Sequence, residues 1–189
     1  MSKGFDRDAW LEALARINQS LERQGSAARL TLLGSATGIL GGQPGRTSID
    51  LDVWRPTSQY EFATLKKAVE DAGLIFNPMS TIEPETPYVQ LIDPGLVQIG
   101  KFKQPETLEK FGALQLERPP IANLIASKLV RAEAKDLEDI TFLLAKYRPE
   151  RSDIEKALQS MPAEARQKAS WNMVYVEVLS PSKPKPSKT

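Results

Sequence analysis

Apolar side chains at Trp10, Leu11, Leu14, Ile17 and Leu21 recur at the spacing of one helical face and predict a first helix. Asp6 stands where an N-cap belongs, and Gly25 where such a helix ends. Arg29 to Leu33 predicts a first strand, followed by a turn at Gly34-Ser35 and a short helix over Ala36 to Leu40. After a glycine-rich connection, Thr47 to Trp54 predicts a second strand, closed by Pro56. Ser58 with Glu61 has the form of a capping box for a helix through Ala72, whose inner face would be Phe62, Leu65 and Val69. Leu74 to Phe76 reads as a short strand, and residues 77–87 as a loop.

Tyr88 to Ile92 and Leu96 to Ile99 flank Asp93-Pro94-Gly95, whose proline and glycine suit the centre of a type II turn, and so predict a hairpin. Phe111 to Leu116 is apolar without a decisive period. Pro119-Pro120 opens a helix to about Glu133, and a second helix runs from Asp136 to Tyr147. Ser152 and Glu155 repeat the capping-box pattern for a short helix to Gln159. Pro162 to Leu179 mixes a helical first half with the strand-like stretch Met173 to Val178, and is read as helix. Strands alternating with helices and then helices alone place the chain in the α+β class. The expected organisation is a mixed sheet packed by helices over residues 1–118 and a small helical carboxy-terminal lobe over 119–179. A basic tail over 180–189, rich in Pro, Ser and Lys, has nothing to bury and is expected to be disordered.

Composition narrows the chemistry. The chain has no cysteine and no histidine, which excludes disulfides, thiolate metal sites, a cysteine nucleophile and the commonest general base. Catalysis would have to run on carboxylates, hydroxyls, Lys, Arg or a hard metal ion. The net charge is +1, and Lys183, Lys185 and Lys188 of the tail account for that excess, so bulk charge gives no argument for nucleic-acid binding. No secretory signal or bilayer-length apolar run is visible, which predicts a cytoplasmic protein without a membrane partner.

The strongest chemical pattern is in the second strand. Asp50 and Asp52 alternate with Ile49, Leu51 and Val53, so a strand would aim both carboxylates to one side and the apolar residues to the other. Two acids on one face favour a hard cation held through oxygen. They follow Gly34 of the Gly34-Ser35 turn by 16 and 18 residues, and backbone N–H groups at such a turn can hold phosphate oxygens, with the Ser35 hydroxyl adding a donor. The plain alternatives are a tight turn with a serine cap and an acidic solvent face.

A strand ending in Gly-Ser, a glycine-bearing connection and a strand carrying Asp-x-Asp resemble the signature of the polymerase-β-like nucleotidyltransferases. The form GRTSIDLDVW is most similar to their minimal branch, which includes AbiEii-like type IV toxins of toxin–antitoxin pairs. A second match follows at Lys128, Arg131 and Lys135-Asp136-Leu137-Glu138-Asp139, and the resemblance runs from Leu30 to Leu144. It implies a nucleotidyltransferase-like fold in which Asp50 and Asp52 bind two Mg²⁺ ions. Gly34 and Ser35 would hold phosphates, and Lys128, assisted by Arg131, the triphosphate. The family's third carboxylate has no clean counterpart. Asp93 is the acid available, although it sits where a turn favours aspartate, while Gln90 and Gln98 occupy strand positions. Either Asp93 joins the catalytic acids, or two acids suffice, or catalysis is impaired.

Lys128 and Arg131 would share one helical face, and snorkelling beside Leu124, Ile125 and Leu129 explains them equally well. Asp136 fits an N-cap, and any role of Asp136 or Asp139 in charge would be to orient Lys128 or Lys135. The resemblance thus implies transfer of a nucleoside monophosphate from an NTP to a hydroxyl of RNA, such as a tRNA 3′ end, or of a protein. Its partner would be a cognate antitoxin or toxin. Two alternatives stand beside it: an antitoxin-type protein adenylyltransferase, and a degenerate fold serving as a protein-interaction module.

Overall fold

The computed structural model describes residues 4–78 and 85–181. The protein is α+β, and its chain divides into two compact units: Met1–Val97 with Phe102–Pro120, and Gln98–Lys101 with Ile121–Thr189. Residues 182–189, most of the basic tail, and 79–84 of the expected loop lie outside the described residues.

In the first unit, helix α1 (Arg7–Arg23) begins where Asp6 accepts a hydrogen bond from the Ala9 N–H at 3.0 Å. It buries Trp10, Leu14, Ile17 and Leu21, the face that the apolar spacing predicts. Strand β1 (Ala28–Thr31) leads into helix α2 (Gly34–Leu40), and strand β2 (Asp50–Trp54) follows the glycine-rich connection. Helix α3 (Phe62–Asp71), strand β3 (Ile75–Phe76) and strand β4 (Tyr88–Ile92) come next, then strands β5 (Glu106–Lys110) and β6 (Leu114–Arg118). The strands form two three-stranded sheets, ordered β1-β6-β5 and β2-β4-β3. An antiparallel bridge, Leu32 to Val53, joins their adjoining edges. Leu30, Leu32, Leu51, Val53, Val89, Leu114 and Leu116 face one core with α1 and α3.

Three local expectations are corrected here. Ser58 does not cap α3. Its hydroxyl donates to the Trp54 carbonyl and accepts from the Thr31 N–H, so Glu61 becomes the cap and receives the N–H groups of Ala63 and Thr64. The helix therefore starts later and turns Leu65, Ala68 and Val69 inward, leaving Phe62 exposed. The turn at Asp93-Pro94-Gly95 forms, with Gly95 at φ 98° and the Leu96 N–H on the Asp93 carbonyl. No hairpin follows it, because β4 takes parallel partners, β2 on one side and β3 on the other.

In the second unit, helices α4 (Ile121–Leu129), α5 (Ala134–Tyr147), α6 (Arg151–Gln159), α7 (Ala163–Trp171) and α8 (Val174–Leu179) pack Leu124, Ile125, Leu129, Ile140, Leu143 and Ile154 into a separate core. The segment from Pro162 is helical throughout, broken at Asn172. There the Asn172 side chain donates to the Leu129 carbonyl at 2.7 Å. Glu150, not Ser152, takes the N-cap position of α6. Among the described residues no helix is long and apolar enough to cross a membrane.

Candidate functional site

Strand β2 delivers the predicted alternation. Leu51 and Val53 are buried in the core, whereas Asp50 and Asp52 are half-buried on the opposite face. The Leu33 N–H donates to the Asp52 carbonyl at 2.9 Å, which fixes the end of β1 beside that carboxylate. The chain then turns at Gly34, with φ at 61°. A β-carbon there would lie 2.8 Å from Asp52 Oδ2, so glycine is what lets the turn approach the carboxylate. The Gly-Ser turn and the Asp-x-Asp strand are thus neighbours in space.

Two further side chains join them. Arg46 Nη2 donates to the Ser35 hydroxyl at 2.7 Å, and the Ser48 hydroxyl donates to Asp50 Oδ1. Ser48 is itself fixed by paired backbone hydrogen bonds with Phe5, at 2.8 and 3.1 Å. Ser48 escaped the motif, yet its signal was present: it stands two residues before Asp50, on the same strand face.

The third acid is not abreast of the pair. In the parallel register of β2 and β4, Asp50 lies beside Tyr88 and Asp52 beside Gln90. The Gln90 amide donates to Asn77 Oδ1 at 2.8 Å. Asp93 comes one residue after β4 ends, about 10 Å along the chain from Gln90 at strand spacing. Both its carboxylate oxygens accept from Arg55 Nη1, at 3.0 Å each. Among the described residues no group of three or more His, Cys, Asp or Glu is gathered as a metal site. The side-chain groups that β2 and its lead-in place on this face, the Asp50 and Asp52 carboxylates and the Ser48 hydroxyl, offer only oxygen, a donor type that suits Mg²⁺ rather than a softer metal.

Lys128 and Arg131 belong to the second unit, at the end of α4 and just beyond it. Lys128 Nζ lies 2.6 Å from Asp139 Oδ2 and 3.8 Å from Asp136 Oδ1. Arg131 makes a two-pronged contact with Asp136 at 2.7 and 2.8 Å, and this hydrogen bonding raises its pKa further. Both aspartates are buried. Asp136 is not the N-cap of α5: it sits at the third helical position, where it accepts from the N–H of the capping residue Glu133 at 3.3 Å. The Lys-Asp-x-x-Asp pattern thus forms an ion network in which each aspartate anchors a cation.

Comparison with protein-family models, with curated proteins and with solved structures yields no match to this chain.

Proposed function

We propose that the chain is a metal-dependent nucleotidyltransferase, transferring a nucleoside monophosphate from an NTP to a hydroxyl of RNA or protein within a toxin–antitoxin pair. The observation that carries this reading is the packing of the Gly34-Ser35 turn against the Asp52 carboxylate. A phosphate-binding turn and a pair of acids are useful together only if they serve one anionic ligand. Two carboxylates about 7 Å apart along one strand repel by about 2 kcal/mol at an effective dielectric of 20. A cation between ligand and acids converts that cost into binding.

In this reading Asp50 and Asp52 hold Mg²⁺, and Ser48 fixes the Asp50 carboxylate through one oxygen, leaving the other to bind. Arg46 orients the Ser35 hydroxyl towards a phosphate oxygen and brings positive charge to it. Bound Mg²⁺ supplies Lewis-acid stabilisation and a lowered hydroxyl pKa. The acceptor oxygen bonds the α-phosphorus as the bond to the bridging oxygen breaks. Pyrophosphate leaves, and the hydroxyl proton passes to a carboxylate of the pair.

The experiment is incubation of the full chain with each α-labelled NTP, Mg²⁺ and either total tRNA or a protein extract. Label should move to one acceptor class, and Asp50→Asn or Asp52→Asn should abolish the transfer. Absence of transfer from every NTP, together with no Mg²⁺-dependent NTP binding by calorimetry, overturns the reading. That outcome would favour the second one, a degenerate fold used as an interaction module. The placement of Gln90 beside Asp52 and the pairing of Asp93 with Arg55 support it.

A further inference from the structure

The polar face of β1 and β6 carries a second constellation that the motif does not include. Arg29 and Thr31 of β1 stand abreast of Gln115 and Glu117 of β6. By strand alternation they lie on the side away from the core, the side to which β2 turns Asp50 and Asp52. Glu117 is a carboxylate with a side chain only 8% exposed. Its Oε1 accepts from the Gln115 amide at 2.8 Å, while its Oε2 is buried with no hydrogen-bond partner among the described residues. Arg29 is an ion-pair partner, but its Nε lies 3.8 Å from Oε1, too far for a hydrogen bond. That Nε is likewise buried and unbonded.

An unmatched acceptor beside an unmatched donor asks for a ligand presenting the complementary pair. Both residues line a cavity of about 450 Å³ with Thr57, Gln59 and the exposed Lys103. Arg29 and Gln59 also line a neighbouring cavity of about 670 Å³, with the half-buried Tyr60 as another wall. These volumes are in the range of ligand pockets. Lys103 at the rim adds positive charge for an anionic group. A planar base with an amino group next to a ring nitrogen satisfies the inner pair, and an attached phosphate satisfies the rim.

We propose that this groove binds a nucleoside phosphate, its base amino group donating to Glu117 and a ring nitrogen accepting from Arg29. It deepens the nucleotidyltransferase reading, on which it rests for the expectation that this face meets nucleotides, and it names Glu117 as the residue that selects the base. The probe is AMP in the presence of EDTA, titrated into the full chain by calorimetry or heteronuclear NMR. Purine riboside 5′-monophosphate, which keeps the ring but lacks the amino group, is the control.

Wild type should bind AMP at least about tenfold more tightly than the control, the worth of one charge-assisted hydrogen bond. Glu117→Gln should shrink that ratio to below about threefold, since a neutral acceptor replaces a charged one. Arg29→Gln, at a side chain 42% exposed and hence tolerant of change, should weaken AMP with the fold intact. That variant keeps the test open should Glu117→Gln fail to fold. Stronger competition by ATP assigns the base to the incoming nucleotide, and stronger competition by single-stranded oligoadenylate assigns it to the acceptor strand. Equal affinity for AMP and the control in wild type, or an unchanged ratio in Glu117→Gln, overturns the proposal. Because monophosphate and EDTA bypass metal and transfer, a failure here leaves the Asp50 and Asp52 experiment standing, and the reverse holds too.

Discussion

Gly34 stands so close to Asp52 that a β-carbon on it would lie 2.8 Å from the carboxylate oxygen Oδ2. Gly25 has the same positive φ of 61°, yet a β-carbon there would meet nothing within 4 Å. The two glycines therefore separate backbone strain from the contact. Gly25→Ala and Gly34→Ala should each cost about 1 kcal/mol in urea unfolding, the penalty of a left-handed alanine. The Asp52 carboxylate can swing aside at small cost, so any excess from Gly34→Ala should appear in Mg²⁺-dependent nucleotide binding, not in stability. Equal binding by the two variants would detach the glycine turn from the acids.

Gln90 occupies the register position beside Asp52, where a carboxylate would complete a three-acid cluster. Gln90→Asp places a third negative charge about 5 Å from Asp52 across the strands. Without metal the variant should lose about 1 kcal/mol and melt earlier. Saturating Mg²⁺ should restore or exceed the wild-type melting temperature, because the cation now has three ligands. A melting temperature indifferent to Mg²⁺ would show that this face does not gather a cation. Asp93→Asn, which removes an exposed ion pair with Arg55, should leave the urea midpoint unchanged within error.

Much of this face was legible in the sequence because alternation is a strong signal when one side is buried. Leu51 and Val53 fix the orientation of Asp50 and Asp52 in β2, and the stripe from Trp10 to Leu21 fixes α1. The failures have physical causes. The S-x-x-E pattern at Ser58 matched a capping box, but the hydroxyl is engaged with Trp54 and Thr31, contacts that no local window contains. Turn chemistry at Pro94-Gly95 was right, whereas strand pairing is a long-range choice and β4 found β2 and β3. Strand β5, ETLEK, has no apolar alternation because it is an exposed edge. Arg29 looked like an ordinary polar strand residue and Glu117 fell just past an apolar segment without a decisive period, and only the parallel register of β1 and β6 sets their side chains on one face.

Lys128 and Asp139 form the inner pair of the second unit's ion network. Asp139→Leu leaves the buried Lys128 with only Asp136, 3.8 Å away, so it should cost about 3 kcal/mol, the low end for breaking a buried pair. Replacing both partners, as Lys128→Met with Asp139→Leu, should recover most of that loss. Urea denaturation of wild type, Lys128→Met, Asp139→Leu and the double variant measures the coupling. If the double variant is as unstable as Asp139→Leu, Asp139 is held by interactions other than Lys128.

Asp71 contributes to the pH dependence of the first unit. The Ser20 hydroxyl, buried on α1, donates to Asp71 Oδ2 at 2.6 Å, and Lys67 pairs with the same carboxylate at 2.9 Å. Hydrogen bonding from Ser20 first, and from Lys67 second, holds its pKa below the ordinary 3.8. A carboxyl whose pKa is lower folded than unfolded binds protons more readily in the unfolded chain, so stability rises with pH across that interval. The contribution is complete above the ordinary value and is lost as pH falls through the lowered one. Asp71→Asn should therefore melt below wild type at pH 7, with the gap narrowing as pH falls below the ordinary 3.8. Ser20→Ala should reproduce part of the gap with the same pH profile, since it removes the first cause of the shift. A gap that persists undiminished into acid would assign the effect to lost packing between α1 and α3 instead of to the charge.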